Sequence, residues 1–447
     1  MRIRKFFKRA FIALILILLL GLVLITRVDR TPYQETDFYQ HTISRLDSIR
    51  ERLQEQKEDS VKVGWARINI TPKEPVRLTG NHQKPYEKVL DSVWVSAIVL
   101  ENHYQKVALL SYDLWIIHPY TADKIREAIK ASDLKIEQVY FTASHTHSGY
   151  GGWSEGLLGK VVAGGYEKEI IKLLQQRTLE ALKRATNKMT PFRAGFKKIA
   201  ARGFVNNRID HTAYIDAYLR VMKMCNENFE QGIFSTFSAH ATYVDADLNA
   251  LSPDYPGKLV EHLLTIDSLK FSSFAAGTVG SHSPARERPF ENEKMDQYAK
   301  QLTDLIKKQE DSIDMQPVTT LKFVQLPVDL REPHFRISNN WRLRPWLFRT
   351  LVGEHPSYIS CLRIGNTVLI GLPIELSGEF YPMFDKICKE RGISLIITTF
   401  NGNYIGYVTP AHYYDEIKYR ETREMNWYGP NCGEYFVELI ERLLTFI

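Results

Sequence analysis

The sequence predicts an α/β, or mixed α+β, fold: a single large catalytic domain with a mixed sheet flanked by helices, preceded by an N-terminal membrane-anchor helix. Three observations lead to this fold class. Strand-like and helix-like segments alternate after Val61, no repeat period or low-complexity linker divides residues 61–447, and one long apolar run lies near the N-terminus. A chain of 447 residues with ordinary apolar and charged fractions can bury a large core, so one domain is the simplest organisation.

The first element is a membrane segment, predicted within residues 1–30. Its apolar run covers residues 10–25 (AFIALILILLLGLVLI) and follows a basic cluster at residues 2–9. The run lies at the lower edge of the roughly 17 to 25 residues that span a bilayer, and no small-x-small cleavage site follows it. An uncleaved signal anchor is therefore favoured, with secretion after cleavage as the alternative. The basic cluster should stay cytoplasmic, which places the body on the extracytoplasmic side, periplasmic or extracellular.

The charge pattern excludes one class of partner. Residues 1–30 hold seven basic side chains against Asp29, and this difference accounts for the whole formal net charge of +6. The body is formally neutral and shows no one-sided basic stretch. Because nucleic-acid binders need such a basic surface, we expect no nucleic-acid partner.

A polar segment at residues 31–60 is predicted to be a helical stalk. Between residues 35 and 56, apolar side chains recur at steps of three to five residues, as in an amphipathic helix. They are Phe38, Ile43, Leu46, Ile49 and Leu53. A coiled-coil dimer remains an alternative, but about three heptads without a clean a/d pattern favour packing on the body instead.

The elements of the body follow in order. Strands are predicted at residues 92–101, 106–112, 138–144, 233–238, 319–328 and 367–372, and helices at 120–131, 165–185 and 296–308. Four cysteines lie far apart without Cys-x-x-Cys spacing, so they indicate neither a structural zinc site nor a redox motif. Buried small apolar side chains are favoured over a disulfide, whose pairing stays open. These cysteines are Cys225, Cys361, Cys388 and Cys432.

A His-x-His motif stands out in the segment 144–152 (SHTHSGYGG). It follows a β-branched, aromatic strand, and a strand period of two would send His145 and His147 the same way. Both imidazoles could then reach one cavity. Two polar histidines in a surface turn are the alternative, so the motif needs partners elsewhere in the chain.

Two partners lie at the ends of other apolar strands. His240 ends the segment 234–240, and Glu375 follows the strand TVLIGL at residues 367–372, with Glu379 as a competing carboxylate. Two imidazoles and a carboxylate suit zinc, and an open position on the ion would hold a water whose pKa falls to about 7. The pattern therefore indicates a zinc-dependent hydrolase.

Several motifs in order resemble the neutral/alkaline non-lysosomal ceramidase family. The resemblance begins near Gly64 and continues to the end of the chain. It rests on Gly64–Pro72 (GWARINITP), Ser111–Leu114 (SYDL), Ser144–Gly152, Phe237–Thr242 (FSAHAT), Pro373–Glu375 (PIE), Tyr404–Thr409 (YIGYVT), Lys418–Tyr419 and Tyr428–Pro430 (YGP). Family members commonly carry an immunoglobulin-like domain after the catalytic one, and this chain is expected to lack it.

The resemblance implies a role for seven residues. One zinc ion per chain would be held by His145, His240, Glu375 and Tyr407. His147 would be the neighbouring acid or base, Ser283 an active-site serine that contacts substrate, and Tyr419 a substrate-facing tyrosine. Glu375 is preferred to Glu379 because the family's proline lies two residues before the ligand, as Pro373 does here.

Alternatives remain at several of these positions. The family segment Gly-Asp-Val-Ser-Pro-Asn reads Gly-Ser-His-Ser-Pro-Ala at residues 280–285, so Ser283 is kept while its neighbours change. Taken alone, Ser283 would be a turn serine, His282 a solvated loop residue, and the two tyrosines core or rim residues. Asp113 would either orient a histidine or cap the following helix.

The function implied is hydrolysis of the N-acyl bond of ceramide to a fatty acid and a sphingoid base, with His147 protonating the leaving amine. The partners are a lipid-like amide substrate and the membrane. Another N-acyl amide, such as an N-acyl amino lipid or a peptide-like bond, is the leading alternative. A membrane-tethered, non-catalytic binding protein on the same fold is the next. A phosphate- or sulfate-ester hydrolase would need a second metal cluster, which the sequence does not show.

Overall fold

The computed structural model describes residues 2–53, 58–80, 84–286, 289–353 and 355–447. The helices are α1 Arg2–Leu24, α2 Asp37–Leu53, α3 Pro119–Lys130, α4 Gly156–Val162, α5 Lys168–Thr186, α6 Asp254–Leu263, α7 Asn292–Lys307, α8 Pro345–Val352, α9 Asp385–Arg391, α10 Arg420–Arg423 and α11 Cys432–Leu444.

The strands are β1 Ile25–Arg27, β2 Lys62–Asn69, β3 Lys88–Val89, β4 Trp94–Glu101, β5 Lys106–Tyr112, β6 Gln138–Ala143, β7 Thr190–Ala200, β8 Val205–Asn207, β9 Tyr218–Asn226, β10 Gln231–Phe237, β11 Ala250–Leu251, β12 Leu269–Ala276, β13 His282–Pro284, β14 Gln316–Pro317, β15 Leu321–Val328, β16 Trp341–Leu343, β17 Ser357–Ile364, β18 Thr367–Leu372, β19 Glu375–Leu376, β20 Ser394–Thr399 and β21 Tyr407–Val408.

Two mixed sheets form the centre of the molecule. The larger has the order β12-β10-β9-β7-β2-β4-β5-β6, with β14 paired to β7, and the smaller has the order β15-β17-β18-β20. Parallel pairs occur at β10–β12, β5–β6 and β18–β20, and the other neighbours along these two orders are antiparallel. The predicted fold class, a mixed sheet flanked by helices, is confirmed, with two such sheets at the centre, and short two-stranded pairs (β1-β16, β3-β11, β8-β13 and β19-β21) lie outside them.

The layers follow from the alternation of side chains along each strand. On β4, Ile98 points into a core shared by the two sheets, whereas Val99 points into a second core beneath α3 and α5. A third core lies under α6 and α7, and a fourth joins the smaller sheet to α2 and α11. The order of layers is therefore helix, sheet, sheet, helix.

The N-terminal elements connect a membrane-length helix to the body. Residues 4–24 form an apolar helix long enough to cross a bilayer. It continues into β1, which pairs antiparallel with β16. In the predicted stalk segment, α2 buries Leu46, Ile49 and Leu53 against the smaller sheet and α11. The last residues of the predicted stalk helix, 54–56, lie outside the described residues.

The predicted elements occur within a few residues of their expected bounds. The helix expected at 165–185 begins at Lys168, and the helix expected at 120–131 begins at Pro119, where the His118 ring accepts a hydrogen bond from the backbone N–H of Tyr120 (3.3 Å). The four cysteines all lie in the described part of the chain and are free thiols.

Candidate metal centre

The candidate site lies where several strands end. β6, β10 and β18 finish at Ala143, Phe237 and Leu372, and the segments that follow them carry His145, His240 and Glu375. Tyr407 reaches the same place because β19 and β21 pair in parallel with Glu375 opposite Tyr407. The backbone N–H of His147 donates to the Ala241 carbonyl (3.1 Å), which ties two of these segments together.

The two histidines of the His-x-His motif meet by a route that the sequence did not predict. The strand ends before them, and His145 has a left-handed backbone with φ of +63°, so the expectation of an extended chain through the motif is wrong. The imidazoles converge even so. Their Nε2 atoms lie 3.3 Å apart, with ring centroids at 4.8 Å.

His145 is held from its far side. Its Nδ1–H donates to the Trp115 carbonyl (2.8 Å), and its ring stacks on Phe400 with centroids 4.3 Å apart. This hydrogen bond leaves Nε2 as the nitrogen with the lone pair, and that atom lies 3.3 Å from Glu375 Oε2. The fully buried ring therefore aims an electron pair into the site.

His240 is oriented in the same way. Its Nδ1–H donates to the His282 carbonyl (2.8 Å), which leaves Nε2 2.9 Å from Glu375 Oε2 and 3.1 Å from Tyr407 Oη. Burial and the neighbouring Arg208 lower the pKa of His240 to about 4, so the ring is neutral at physiological pH. Backbone carbonyls that fix the far nitrogen are what a metal-binding histidine needs.

Glu375 lies between the two rings as a carboxylate. Burial raises its pKa, but His145 and His240 outweigh that effect and hold the pKa well below its usual range. One carboxylate oxygen faces the histidines, and the other accepts a hydrogen bond from Tyr404 Oη (2.7 Å). The competing Glu379 is directed elsewhere, since its carboxylate is bonded to Asn207 (3.0 Å) and Tyr413 (3.1 Å).

The chemistry of this donor set fits a metal ion. The ligand atoms of His145, His147 and His240 lie within 4.8 Å of one another, and Glu375 adds a charged oxygen. The Nδ1 atoms of His145 and His240 are directed to backbone carbonyls, so their Nε2 atoms face the Glu375 carboxylate and can ligate a cation together with it. Two imidazoles, a carboxylate and a phenolic oxygen suit zinc.

His147 lies beside these atoms and is partly buried. Burial holds its pKa well below the usual value, so its ring is neutral at physiological pH. The Trp115 indole packs edge-on against it, with centroids 5.7 Å apart. A neutral imidazole next to the ligand atoms can exchange a proton with a bound molecule.

Arg208 is a site residue that the sequence did not reveal. Its guanidinium donates to Tyr407 Oη (3.3 Å), contacts His240 Nε2 (3.4 Å) and pairs with Glu421 (3.1 Å). Arg208 follows β8, which pairs with β13, and so reaches the site from a neighbouring two-stranded sheet. A lone arginine in a loop carries no motif, and only this pairing brings it to the histidines.

Ser283 and Tyr419 lie near the site without a contact to its ligand atoms among the described hydrogen bonds. Ser283 is on β13, next to the His282 carbonyl that holds His240, and it is partly buried. Tyr419 precedes α10, whose Glu421 pairs with Arg208.

Two neighbours behave differently from their expected roles. His282, expected to be a solvated loop residue, is fully buried, and its ring accepts a hydrogen bond from the backbone N–H of Asp216 (3.0 Å). Asp113 accepts from the backbone N–H of Trp94 (3.0 Å) and lies 3.9 Å from Arg67. Among the described residues its carboxylate is thus bonded at a strand end, and no hydrogen bond joins it to a histidine or to α3.

An apolar cleft of about 430 Å³ opens beside the histidines. Trp115 and Tyr404 connect the histidine site to the cleft. Trp115 contacts His145, Tyr404 contacts Glu375, and both residues also line the cleft. Aromatic and aliphatic side chains make up most of its wall, including Trp153, Phe335, Val352 and Trp427, while Glu155, Arg336, Arg420 and Glu424 add charge. Such a cleft suits a molecule with a long apolar part and a polar group.

Comparisons with known proteins point to one family. A family model described as "Neutral/alkaline non-lysosomal ceramidase, N-terminal" matches residues 80–284. A neutral ceramidase of Pseudomonas aeruginosa is 24% identical over 225 residues, which are 45% of this chain and 34% of that protein. The match thus spans about a third of the relative's length.

Two solved structures have the same fold. The crystal structure of the Pseudomonas aeruginosa neutral ceramidase matches with a TM-score of 0.70 and 19% identity, covering 87% of this chain and 74% of that one. A structure described as "Ceramidase complexed with C2" also matches with a TM-score of 0.70 and 19% identity, covering 86% and 74% of the two chains.

Proposed function

We propose that this chain, which belongs to the neutral/alkaline non-lysosomal ceramidase family, is a zinc-dependent amidohydrolase that splits the N-acyl bond of ceramide into a fatty acid and a sphingoid base. The observation that carries the proposal is the convergence of His145, His240, Glu375 and Tyr407 beside an apolar cleft. The proposed zinc ligands are these four residues.

When bound there, zinc would supply a water molecule with a pKa of about 7 and a positive charge next to the amide carbonyl. The overall reaction adds one water: the amide C–N bond breaks, a C–O bond forms, and a proton moves to the leaving nitrogen. We assign this proton transfer to His147, because its neutral ring lies 3.3 Å from the ring of His145.

Other side chains bind and orient the substrate. The apolar wall formed by Trp115, Trp153 and Phe335 would hold a hydrocarbon chain and exclude water. Arg208 directs N–H groups toward Tyr407, where they would stabilise negative charge on the carbonyl oxygen. Ser283 and Tyr419 are proposed to contact the polar headgroup.

The location proposed for this reaction is the extracytoplasmic face of a membrane. Residues 1–30 would be the anchor, residues 31–60 a stalk segment packed on the body through α2, and residues 61–447 the hydrolase domain. Five basic side chains precede the apolar run and two follow it, which favours a cytoplasmic N-terminus.

An N-acyl amino lipid is the second candidate substrate. Arg420 lines the cleft with an exposed side chain, and a guanidinium is a good partner for the carboxylate of such a lipid. The altered segment at residues 280–285 also allows a different polar group at the site.

The test is hydrolysis by the full chain, purified in detergent without chelator and assayed for zinc. Fluorescent ceramide and a panel of other N-acyl amides are compared for the wild type, for His145→Ala and for the control His103→Ala, which changes an exposed histidine. We expect about one zinc per chain and ceramide turnover, both lost only in His145→Ala. Turnover of other amides but not of ceramide would keep the reaction and change the proposed substrate. If the chain binds no zinc and hydrolyses no amide, a non-catalytic binding protein is favoured.

A further inference from the structure

The cleft is flanked by two short helices with apolar outer faces. On α4, Gly159 and Val162 line the cleft, while Leu157 and Val161 are 56% and 62% exposed. These two exposed residues lie four positions apart and so share one face of the helix. The outer side of α4 is thus an apolar surface beside the mouth of the cleft.

Helix α8 repeats this arrangement. Its Phe348 is buried against Phe335 and Trp427, with ring centroids 4.8 and 5.3 Å away, and both of these residues line the cleft. Trp346, on the side opposite Phe348, is 46% exposed, and Leu351, at the flank of the helix, is 38% exposed. Because α4 and α8 pack on each other, their outer faces form one surface.

The apolar helix α1 ends directly at this surface. The Arg344 guanidinium donates to the Leu22 carbonyl (2.9 and 3.1 Å), and the Arg344 backbone N–H donates to the Leu24 carbonyl (2.8 Å). Arg344 is the residue that precedes α8. β1 and β16 add a short antiparallel pair, in which Arg27 lies opposite Trp341.

These bonds fix the depth at which α8 begins. Leu22 lies two residues before the end of α1 at Leu24, which is about 3 Å along the helix axis. If α1 crosses a bilayer, the start of α8 must therefore lie at the outer interface. Trp341 is the kind of aromatic side chain that is enriched at this level, and the Arg27 guanidinium lies 5.7 Å above its ring.

We propose that Leu157, Val161, Trp341, Trp346 and Leu351 form a membrane-docking surface that inserts into the outer leaflet next to α1. The mouth of the cleft then opens on the bilayer, so that an amide lipid enters from the leaflet without crossing water. This inference rests on the proposed anchor and, for its catalytic consequence, on the proposed function. The exposed apolar area and its connection to α1 favour a lipid surface over a second copy of the chain.

The first experiment measures insertion without using activity. The full chain is reconstituted in phosphatidylcholine vesicles with or without bromine on the acyl chains, and tryptophan fluorescence is compared. The chain has seven tryptophans and none in residues 2–24, so quenching reports on the body. We expect quenching by brominated lipid that falls by more than half in Trp341→Phe/Trp346→Phe. Equal quenching in both proteins, or none in either, would overturn the proposal.

The second experiment asks whether insertion delivers substrate. Leu157→Asp/Val161→Asp is compared with Phe229→Asp, which changes an exposed residue before β10, at the opposite end of that strand from His240. Ceramide in vesicles should be hydrolysed at least 10-fold more slowly by the double variant, whereas a short-chain ceramide in detergent should change less than twofold. The control should match the wild type with both substrates.

The outcomes separate the two proposals. Equal loss with both substrates, at an unchanged melting temperature, would overturn the docking role. If the wild type hydrolyses neither substrate, the proposed function fails. The quenching result still shows whether this surface inserts into the membrane. A dimer in detergent that is abolished by the double variant, together with absent quenching, would assign the surface to a second copy of the chain and also overturn the proposal.

Discussion

The guanidinium of Arg208 faces the same atoms that the histidines and Glu375 surround. The guanidinium is a hydrogen-bond donor, and the side chains around it are acceptors. It lies 3.3 Å from Tyr407 Oη and forms an ion pair with Glu421 (3.1 Å). A planar guanidinium can satisfy both partners at once, and an ammonium group cannot reproduce that geometry. Arg208 thus adds fixed positive charge to a site whose other side chains supply lone pairs.

Replacing Arg208 by Lys should slow the reaction while leaving the metal in place. We expect kcat to fall by about 100-fold, the effect of removing one well-placed donor from a developing oxyanion, with zinc content unchanged. Steady-state kinetics and metal analysis on the same sample check this. Lys198→Met, at a partly exposed lysine of β7, is the control. Loss of zinc in Arg208→Lys would show that the arginine instead supports the ligands.

His334 makes the stability of the folded protein depend on pH. Its Nδ1 accepts from Arg342 (3.2 Å), and its Nε2–H faces Tyr414 Oη (3.1 Å), so the buried ring is held neutral. Burial, with the charge of Arg342, lowers its pKa to about 3. The unfolded chain, with a histidine pKa near 6.5, binds the proton more readily, and acidification below pH 6.5 must therefore destabilise the folded state.

His334→Gln should remove part of this acid sensitivity. Between pH 6.5 and pH 5 the wild type should lose about 2 kcal/mol more of its unfolding free energy than the variant does, because each pH unit is worth about 1.4 kcal/mol per proton. Denaturant unfolding at several pH values measures the difference. His103→Gln, at an exposed position, should follow the wild type. Parallel curves for His334→Gln and wild type would contradict the expectation.

At this scale the sequence predicted most of the side chains that the structure brings together at the site and missed their surroundings. His145, His147, His240 and Glu375 could be found because each follows an apolar strand or belongs to a compact motif. Arg208 could not, since it depends on the pairing of β8 with β13. The buried state of His282 was also hidden, because a strand of three residues has too little pattern to read.

The elements around the site are packed backbone to backbone. Gly280, in the turn before β13, donates its N–H to the Leu376 carbonyl (2.9 Å) on β19, the strand that carries Glu375. A Cβ atom added at Gly280 would lie 2.3 Å from the Glu375 carbonyl oxygen. There is no room for a side chain unless β19 moves.

Gly280→Ala should therefore weaken both stability and metal binding. We expect a loss of about 1–3 kcal/mol in unfolding free energy, as for overpacking in a core, and at least a 10-fold weaker zinc affinity as Glu375 shifts. Thermal unfolding and zinc titration provide the two readouts. Gly232→Ala is the matched control, because its new Cβ would meet Phe271 at an ordinary 3.4 Å. Tight zinc binding by Gly280→Ala would show that β19 adapts freely.

Strands with strong apolar patterns were predictable, and those with mixed patterns were not. β5 and β18 are buried along nearly their whole length and read clearly from their composition. β7 has buried positions only at Phe192, Gly195 and Ile199, so its sequence shows no regular alternation. The assignment of strands to two sheets depends on contacts between distant segments, which local composition does not contain.

On the scale of the whole molecule, the N-terminal segment closes the outer layer of the smaller sheet. Leu46, Ile49 and Leu53 of α2 pack with α11, so the stalk helix and the last helix of the body complete one core. The Arg45 guanidinium adds an ion pair to Asp329 at 2.6 Å. The periodicity predicted this helix, but only the structure shows which surface its apolar face covers.

Leu46→Ala should destabilise the whole protein. Because Leu46 is buried, we expect a loss of about 2–5 kcal/mol, the usual result of leaving a cavity where a leucine was. Asp47→Ala, at the exposed neighbouring position, should change stability by less than about 0.5 kcal/mol. Calorimetry of the two variants makes the comparison. Equal melting temperatures would indicate that α2 is a free stalk.

The left-handed backbone at His145 has a consequence for directed evolution. A non-glycine residue in this conformation is strained by about 1–2 kcal/mol, and Phe400, which stacks on it, has a positive φ as well. Glycine at position 145 would relieve this backbone strain, which selection for heat resistance rewards, but it would discard a buried imidazole that points at Glu375. Selection for robustness and selection for turnover would thus drive this position in opposite directions.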